Sequence, residues 1–357
     1  MKTITDTNTH RDSSAQNLAK AKTIKLGIDV HADSYRVVRQ IDHATPQPAQ
    51  KFTPKEFLVW AGKQREQADE VHSCYEAGPF GYALHRQLEQ LGIHNLVIRP
   101  QNWDEHGKRV KTDRTDALAL VQRLDRYVQG NRHALAVIAV PTPQQEQQRT
   151  LSRRREQLQK DRQGHEAQGR SLLLYHGWRV KGQWWRAAAW QRLQQALPDW
   201  LKAVLESVRT QILTTDGLLT AATSQIESQA QPQAKGFGRL TSEVLRREVL
   251  DWHRFQNRRQ VASLTGMCPR VRSSGLKSTS GAITKHGNPR LRRVLVELAW
   301  RVIRYHPDYP PVRRWHERLR GHVGGRKRAA VAIGRQLAID LWRMETGRAT
   351  AQQLKLI

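Results

Sequence analysis

The stretch that decides the fold is TIKLGIDVH at residues 23–31, a run of aliphatic residues that ends on an acidic side chain and is followed by turn formers. Aliphatic and β-branched residues between turn formers predict a β-strand. Further runs of this kind lie at residues 35–40 and around Phe52. The first three elements are therefore expected to form a meander of strands.

Helical and strand-like segments alternate after this meander. Pro54 suits the first turn of a helix that carries Phe57 and Ala61 on one side. The segments that follow are a strand at 71–75, a helix at 82–91, a strand at 94–98 and a helix at 115–127. This order, βββαβαβα, predicts a mixed sheet with helices packed on it, an α/β domain over residues 23–130.

The rest of the chain is expected to be mostly α-helical. Residues 131–232 predict a long helical arm whose heptads are too irregular for a coiled coil, so a solvated helical hairpin is the alternative. A break at 231–238, rich in Pro and Gly, leads to a basic domain at 233–347 with an irregular Gly and Ser segment at 270–289. The arm also carries tryptophans that are expected to pack in a core rather than to stack on bases: Trp184, Trp185 and Trp190.

Basic residues dominate the composition, and they are concentrated in the second part of the chain. The 357 residues contain 60 Lys and Arg against 32 Asp and Glu, a formal net charge of +28. Residues 1–130 hold 19 basic and 16 acidic side chains, which leaves 41 and 16 for residues 131–357. A basic surface also suits a ribosomal protein or a membrane-surface binder, but Arg-rich helices favour a nucleic-acid partner.

Cysteine usage and hydropathy predict a cytoplasmic protein that associates with the nucleoid and has no membrane partner. Cys74 and Cys268 form no CxxC pair, so neither a disulfide framework nor a structural zinc site is indicated. No apolar run approaches the ~20 residues that span a bilayer. Residues 1–22 are polar, lack a signal-peptide core and are expected to be disordered, and residues 348–357 are expected to be a tail.

Four carboxylates lie at the ends of predicted elements. Asp29 ends the first strand, Glu76 ends the fourth, and Asp113 and Asp116 stand three apart at the start of a helix. Brought together, the four carboxylates would repel one another unless divalent cations such as Mg²⁺ neutralised their charge. Two such ions bound side by side stabilise the attacking and the leaving oxygen of a phosphodiester. Taken singly, Asp113 or Asp116 is most often a helix N-cap, and Glu76 is often a solvated turn residue. His31, two residues further along the strand, is expected to be a supporting or core histidine rather than a ligand.

A serine stands in a Gly-rich and Arg-rich segment of the last domain. Ser274 precedes Gly275, and its basic neighbours Arg270, Arg272 and Arg290 suit a group that attacks phosphate. The residues alone favour a loop that contacts phosphate without covalent chemistry.

Other candidate nucleic-acid contacts surround this segment. Lys235-Gly236-Phe237-Gly238 before a helix suits a phosphate grip by backbone amides, with Lys235, Gly236 and Gly238 as the contacting residues. Lys285 and Asn288, in the ITKHGN sequence at 283–288, are predicted to contact nucleic acid as well.

Two sets of motifs resemble one known family. They are GIDVH, YEAGP and KTDRTDA in the first domain, and LTGMCP, SSG and ITKHGN in the last. Together, over residues 25–339, they resemble the insertion-sequence transposases that join a DEDD, RuvC-like domain to a C-terminal transposase domain, the bridge-RNA-guided serine recombinases. The Trp-rich stretch at 178–200 has no counterpart in the pattern.

The resemblance implies a fold, a reaction and partners. The first domain would be RNase H-like, Asp29, Glu76, Asp113 and Asp116 would hold Mg²⁺, and Ser274 would form a phosphoserine link to DNA. One protomer's carboxylates would meet another's serine in a homo-oligomer, a dimer to a tetramer joined by the arm. A noncoding guide RNA would pair with the element and with its target. Only the position next to Gly275 favours Ser274 over Ser273 as the serine that attacks DNA.

Two other functions stay open. In a RuvC-like junction resolvase or nuclease, metal-activated water would attack and Ser274 would only bind phosphate. In a non-catalytic RNA-binding or DNA-architectural protein, the carboxylates would be structural.

Overall fold

The computed structural model describes residues 20–100, 113–231, 235–274 and 277–356. The chain divides into two compact units, Met1–Val140 and Pro141–Ile357. Most of the expected N-terminal tail, up to residue 19, lies outside the described residues, and the first strand already begins at Ala21.

The first unit has the element order predicted from the sequence. Its strands are β1 (Ala21–Val30), β2 (Tyr35–Ile41), β3 (Gln50–Phe52), β4 (Ala68–Glu76) and β5 (His94–Ile98). Its helices are α1 (Pro54–Gln67), α2 (Ala83–Gln90) and α3 (Asp113–Val128). Thr53 and Glu56 form a capping box at the start of α1, with Pro54 in its first turn, which accounts for where that helix begins.

The five strands form one mixed sheet in the order β3-β2-β1-β4-β5. Strand β1 runs antiparallel to β2 and parallel to β4, and β4 runs parallel to β5. Alternate residues of β1 face opposite sides of the sheet. Ile24, Leu26 and Ile28 are fully buried in the cluster that contains Phe57 of α1 and Leu88 of α2.

Helix α3 covers the other face of the sheet. Lys25 of β1 is buried and pairs with Asp125 of α3, the Nζ and Oδ1 atoms lying 2.9 Å apart. At Gly27 a Cβ atom would collide with the backbone of α3 at Ala117 and Val121. The absent side chain thus lets the helix lie directly on β1.

The arm is a helical hairpin in the second unit. Its helices are α4 (Pro143–Tyr175), α5 (Ala187–Gln194) and α6 (Asp199–Glu227). Arg155 Nε donates to Thr223 Oγ1 at 2.8 Å and Arg162 Nη1 to Asp216 Oδ1 at 2.6 Å, so α4 and α6 run antiparallel. Long as they are, no helix in the described parts of the chain has the apolar stretch that crossing a bilayer requires.

Three tryptophans of the arm lie in a core of their own, as the sequence predicted. Trp184, Trp185 and Trp190 are at most 4% exposed and pack with Leu205 and Ile212 of α6. Their buried rings are therefore unavailable for stacking on bases.

The last part of the second unit is a helical core with a β-hairpin. Its elements are α7 (Arg239–Val249), α8 (Arg258–Thr265), β6 (Pro269–Ser274), β7 (Lys277–Ile283), α9 (Pro289–Tyr305), α10 (Pro310–Arg314), α11 (His316–Arg320) and α12 (Val323–Glu345). Helices α9 and α12 pack through Leu295, Leu298, Ile333 and Leu337, all at most 1% exposed.

Two sequence expectations for this region are wrong. The segment 270–289 is not irregular throughout, because β6 and β7 pair as an antiparallel hairpin. The hairpin is exposed along Arg270–Ser274 and so lacks the apolar alternation by which strands are recognised. The expected tail at 348–357 contributes Leu354 and Leu356 to the helical core, at 7% and 1% exposure.

Candidate active site and nucleic-acid interface

The carboxylates Asp29 and Glu76 lie at the carboxyl ends of adjacent parallel strands. Ile28 of β1 is in register with Tyr75 of β4, so the residues that follow them, Asp29 and Glu76, stand side by side. Both belong to the sheet face that α3 covers. Asp29 follows Gly27 by two residues, and Glu76 follows Cys74, whose Sγ lies 3.6 Å from the carbonyl oxygen of Leu120 in α3.

Asp116 lies at the same end of this face. It stands in the first turn of α3, directly before Ala117, whose backbone touches Gly27, and one turn before Leu120. The fold thus brings three of the four predicted carboxylates to one edge, each of them half-buried. Asp113 opens α3, and its side chain lies outside the described residues.

A histidine and a buried thiol lie next to the carboxylates of this edge. Asp29 Oδ2 lies 3.1 Å from His31 Nε2, which makes His31 a supporting residue of the carboxylate. Burial raises the pKa of the Cys74 thiol, and the negative charge of Glu76 raises it further. The negative charge of Glu76 therefore acts on the Cys74 thiol, on the side of the sheet where α3 packs.

The donor atoms at this edge are of the type that Mg²⁺ prefers, since carboxylate oxygens are hard ligands. Among the described residues, however, no group of three or more His, Cys, Asp and Glu side chains is arranged to hold a metal ion. The Mg²⁺ site predicted from the sequence therefore stays a prediction, and the side chain of its fourth member, Asp113, lies outside the described residues.

Ser274 is the last residue of strand β6, opposite Lys277 of β7. Neighbouring residues of a strand face opposite sides, so Ser274 shares its side of the hairpin with Arg272, whereas Ser273 shares its side with Val271. All four residues are exposed. Arg270 is exposed as well, beyond an irregularity in the pairing, and Gly275 lies outside the described residues.

The base of the hairpin is tied to α8. The backbone N–H groups of Thr284, Lys285 and Asn288 donate to the carbonyls of Cys268, Gly266 and Leu264 at 2.8–3.0 Å. At Gly287 a Cβ atom would collide with the backbone of Gly266 and Leu264. The ITKHGN sequence therefore positions the hairpin. Of its two predicted nucleic-acid contacts, Lys285 and Asn288, Lys285 has an exposed side chain.

Two of the predicted nucleic-acid contacts are engaged within the protein. Asn288 caps α9: its Oδ1 accepts from the N–H groups of Arg290 and Leu291, and its Nδ2 donates to Glu248 Oε2 at 2.7 Å. Arg290 Nε donates to Glu156 Oε2 at 2.7 Å. These two side chains hold α9 in place.

Glu156 of α4 and Glu248 of α7 are positioning residues that the sequence analysis missed. Burial favours a raised pKa at Glu156, yet hydrogen bonds from Arg290, Lys160 and Arg293 outweigh it and lower the pKa to about 2. No local signal marks either glutamate, because their partners are distant in sequence.

The Lys235–Gly238 segment forms one side of an open cleft of about 630 Å³. Gly236 adopts φ 88°, in the left-handed region that favours glycine, and Gly238 is the N-cap of α7. The Lys235 carbonyl accepts from His306 Nε2 at 2.6 Å, which fixes the segment to the end of α9.

A family profile and several known proteins match this chain. The profile described as Transposase IS116/IS110/IS902 family matches residues 232–312, which contain the cleft segment, the hairpin and α9. The chain is 31% identical to the putative transposase y4rJ of Sinorhizobium fredii over 301 residues, 75% of each chain.

More distant relatives carry related names. The chain is 25% identical to the transposase for insertion sequence element IS1533 of Leptospira borgpetersenii, covering 78% of this chain and 85% of that one. It is 26% identical to the transposase for insertion sequence element IS1111A of Coxiella burnetii, covering 74% and 75%. The chain therefore belongs to the IS116/IS110/IS902 family of transposases.

Proposed function

We propose that this chain cuts and rejoins DNA during the movement of an insertion sequence, with Ser274 as the covalent nucleophile. The observation that carries the proposal is the pairing of an exposed serine with Arg272 on one side of an exposed hairpin. Relatives named as transposases for insertion sequence elements support the movement of DNA, which is the coarser part of this proposal.

The proposed chemistry is a transesterification. The Ser274 hydroxyl oxygen attacks the scissile phosphorus, a serine–phosphate bond forms, and the bond from phosphorus to the departing deoxyribose oxygen breaks. The serine proton leaves to a base, and the departing oxygen takes up a proton. A DNA hydroxyl later displaces the serine in the reverse sense, so no energy source is consumed. Arg272 offers positive charge to the phosphate oxygens as they gain charge.

We further propose that the first unit is an RNase H-like, RuvC-like domain whose carboxylates Asp29, Glu76, Asp113 and Asp116 hold Mg²⁺. The mixed sheet, with Asp29 and Glu76 side by side and Asp116 at the same edge, supports this assignment. Bound there, the ion would supply charge neutralisation to a phosphate. The resemblance of the motifs supports a further part of this proposal, in which one protomer's carboxylates meet another's serine in a dimer or tetramer.

A covalent adduct on DNA tests the serine. The full-length protein is incubated with Mg²⁺ and nicked DNA that carries the element ends, and the adduct is resolved under denaturing conditions. Ser274→Ala is expected to abolish the adduct, and the matched control Ser273→Ala to retain it, because only Ser274 shares a face with Arg272. An adduct that persists in Ser274→Ala would remove the serine from this role.

The same assay separates the rival functions. Cleavage without any adduct indicates a junction resolvase or nuclease in which metal-activated water attacks. DNA binding without cleavage, unchanged by Mg²⁺ and by Asp29→Asn, indicates a non-catalytic nucleic-acid-binding protein.

A guide RNA is the remaining part of the proposal, and the resemblance of the motifs supports it. Sequencing the RNA that copurifies with the full-length protein tests it. We expect one discrete structured RNA encoded beside the gene, and an unspecific mixture would contradict RNA guidance.

A further inference from the structure

The cleft beside the Lys235–Gly238 segment combines exposed aromatic rings with positive charge. Trp300, Arg301, Arg304 and Tyr305 of α9 form its second wall. Residues four apart share a helix face, so Trp300 stands with Arg304, and Arg301 with Tyr305. Trp300 is 37% exposed and Tyr305 41%, although Ala299 and Val302 of the same helix are fully buried.

The cations around the Tyr305 ring are close enough to hold it. Lys235 Nζ lies 5.8 Å and Arg304 Cζ 5.5 Å from the ring centroid, within the range of a cation–π interaction. A Cβ atom at Gly236 would come within 3.1 Å of Tyr305 Cδ2, so the glycine lets the backbone lie against the ring. The ring is therefore supported before any ligand arrives.

The charge of the cleft has one sign. The described residues that line it include Lys235, Arg301 and Arg304, and none of them is acidic. Gly238 has no side chain to occupy the first turn of α7, whose N–H groups suit an anion. The wall is therefore suited to an anion, and a phosphate group is one that it can take.

We propose that this cleft binds an unpaired nucleotide of a single-stranded nucleic acid, with its base against Trp300 and its phosphate between Lys235 and Arg304. In a duplex the faces of the bases are already stacked, so exposed rings gain nothing from it, whereas an unpaired base offers a free face. This inference rests on the proposed function, because strand exchange exposes unpaired segments.

Binding of single strands and duplex by matched variants tests the proposal. Affinities of the full-length protein are measured by fluorescence anisotropy, at one salt concentration, for labelled oligothymidylate, oligouridylate and a duplex of equal length. Trp300→Ala is expected to weaken single-strand binding roughly tenfold, within the range for the loss of one base stack, and to leave duplex binding unchanged. Trp300→Phe should restore most of the affinity.

The control variant is Trp200→Ala, which removes another exposed tryptophan, 56% exposed on the arm. It should leave single-strand binding unchanged. A preference for oligothymidylate or for oligouridylate identifies DNA or RNA as the ligand, and either supports the proposal.

Crosslinking provides a second readout that does not depend on affinity. Oligonucleotides carrying 5-iodouracil should crosslink on irradiation to the peptide that contains Trp300 or Tyr305. Equal losses for single strands and duplex in Trp300→Ala, or no loss together with crosslinks elsewhere, would overturn the proposal. Neither result bears on the Ser274 adduct, so failure of the cleft and failure of the proposed reaction are distinguishable.

Discussion

The carboxylate of Glu156 accepts hydrogen bonds from Arg290 at 2.7 Å and from Arg293 at 2.9 Å, two residues of the helix that follows the serine hairpin. Its side chain is only 11% exposed, so these bonds are poorly screened by water. A carboxylate held by two guanidinium groups in this setting favours the charged form, and its protonation therefore weakens the attachment of α9 to α4.

This contact predicts an acid-dependent loss of stability. The folded pKa of Glu156 is about 2, lowered from 4.5, so its contribution is complete above about pH 5 and is lost as the pH falls towards 2. Glu156→Gln should lower the free energy of unfolding at neutral pH by about 2–3 kcal/mol, and the difference should shrink in acid. Urea unfolding at several pH values measures it.

Glu297→Gln is the control, since Glu297 is 57% exposed and lies 3.9 Å from Arg293. An exposed pair of this kind contributes at most about 1 kcal/mol. A difference between wild type and Glu156→Gln that stays constant from neutral pH to acid would contradict the role assigned to Glu156.

The packing of the helical arm depends on one glycine of α4. A Cβ atom at Gly169 would collide with the ring of Trp184, whose Nε1 donates to the carbonyl of Glu166 at 3.2 Å. Gly164, in the same helix, has open space at that position. Substitutions at these two glycines therefore distinguish the effect of side-chain packing on stability from the effect of helix propensity.

Alanine at these two positions should have opposite effects on stability. Gly164→Ala is expected to stabilise the protein by about 0.5–1 kcal/mol, because alanine favours a helix. Gly169→Ala gains the same propensity but displaces a fully buried tryptophan, so a net loss of about 1–3 kcal/mol is expected. Thermal unfolding followed by circular dichroism measures both changes. Equal stabilisation by both would contradict the packing of Trp184 on α4.

At the scale of the whole molecule, the net charge of +28 arises mainly from residues 131–357. Much of this charge is exposed, including Arg270 and Arg272 on the hairpin and Lys285 at its base. Contacts with phosphates release counterions, so duplex affinity should fall steeply as salt rises.

The salt dependence of binding should locate these contacts. Replacing Arg270 and Arg272 by Ala should reduce the slope of log affinity against log salt by about 2. Replacing Lys51 and Lys55, two exposed lysines of the first unit, should leave the slope unchanged. Titrations of labelled duplex over a range of salt give both slopes. Equal reductions would mean that the hairpin is no more a DNA contact than the rest of the surface.

Local patterns in the sequence determined much of what the structure contains. The aliphatic run in TIKLGIDVH, Pro54 in the first turn of α1 and the apolar spacing of the helices mark the elements of the first unit, since secondary structure follows from neighbouring residues. The same patterns place Asp29, Glu76 and Asp116 at element ends. The hairpin around Ser274 was not predicted. An exposed hairpin needs no apolar face, so its sequence lacks the alternation of apolar and polar residues that marks a strand.

Only the tertiary structure decided which distant residues meet. Strand register puts Asp29 beside Glu76, the bare backbone at Gly27 admits α3 with Asp116, and Glu156 and Glu248 hold the helix after the hairpin. It also showed that Asn288 and Arg290, predicted to contact nucleic acid, hold α9 in place within the protein. Such pairings join residues far apart along the chain, and their energies depend on burial and geometry that arise only when the elements pack.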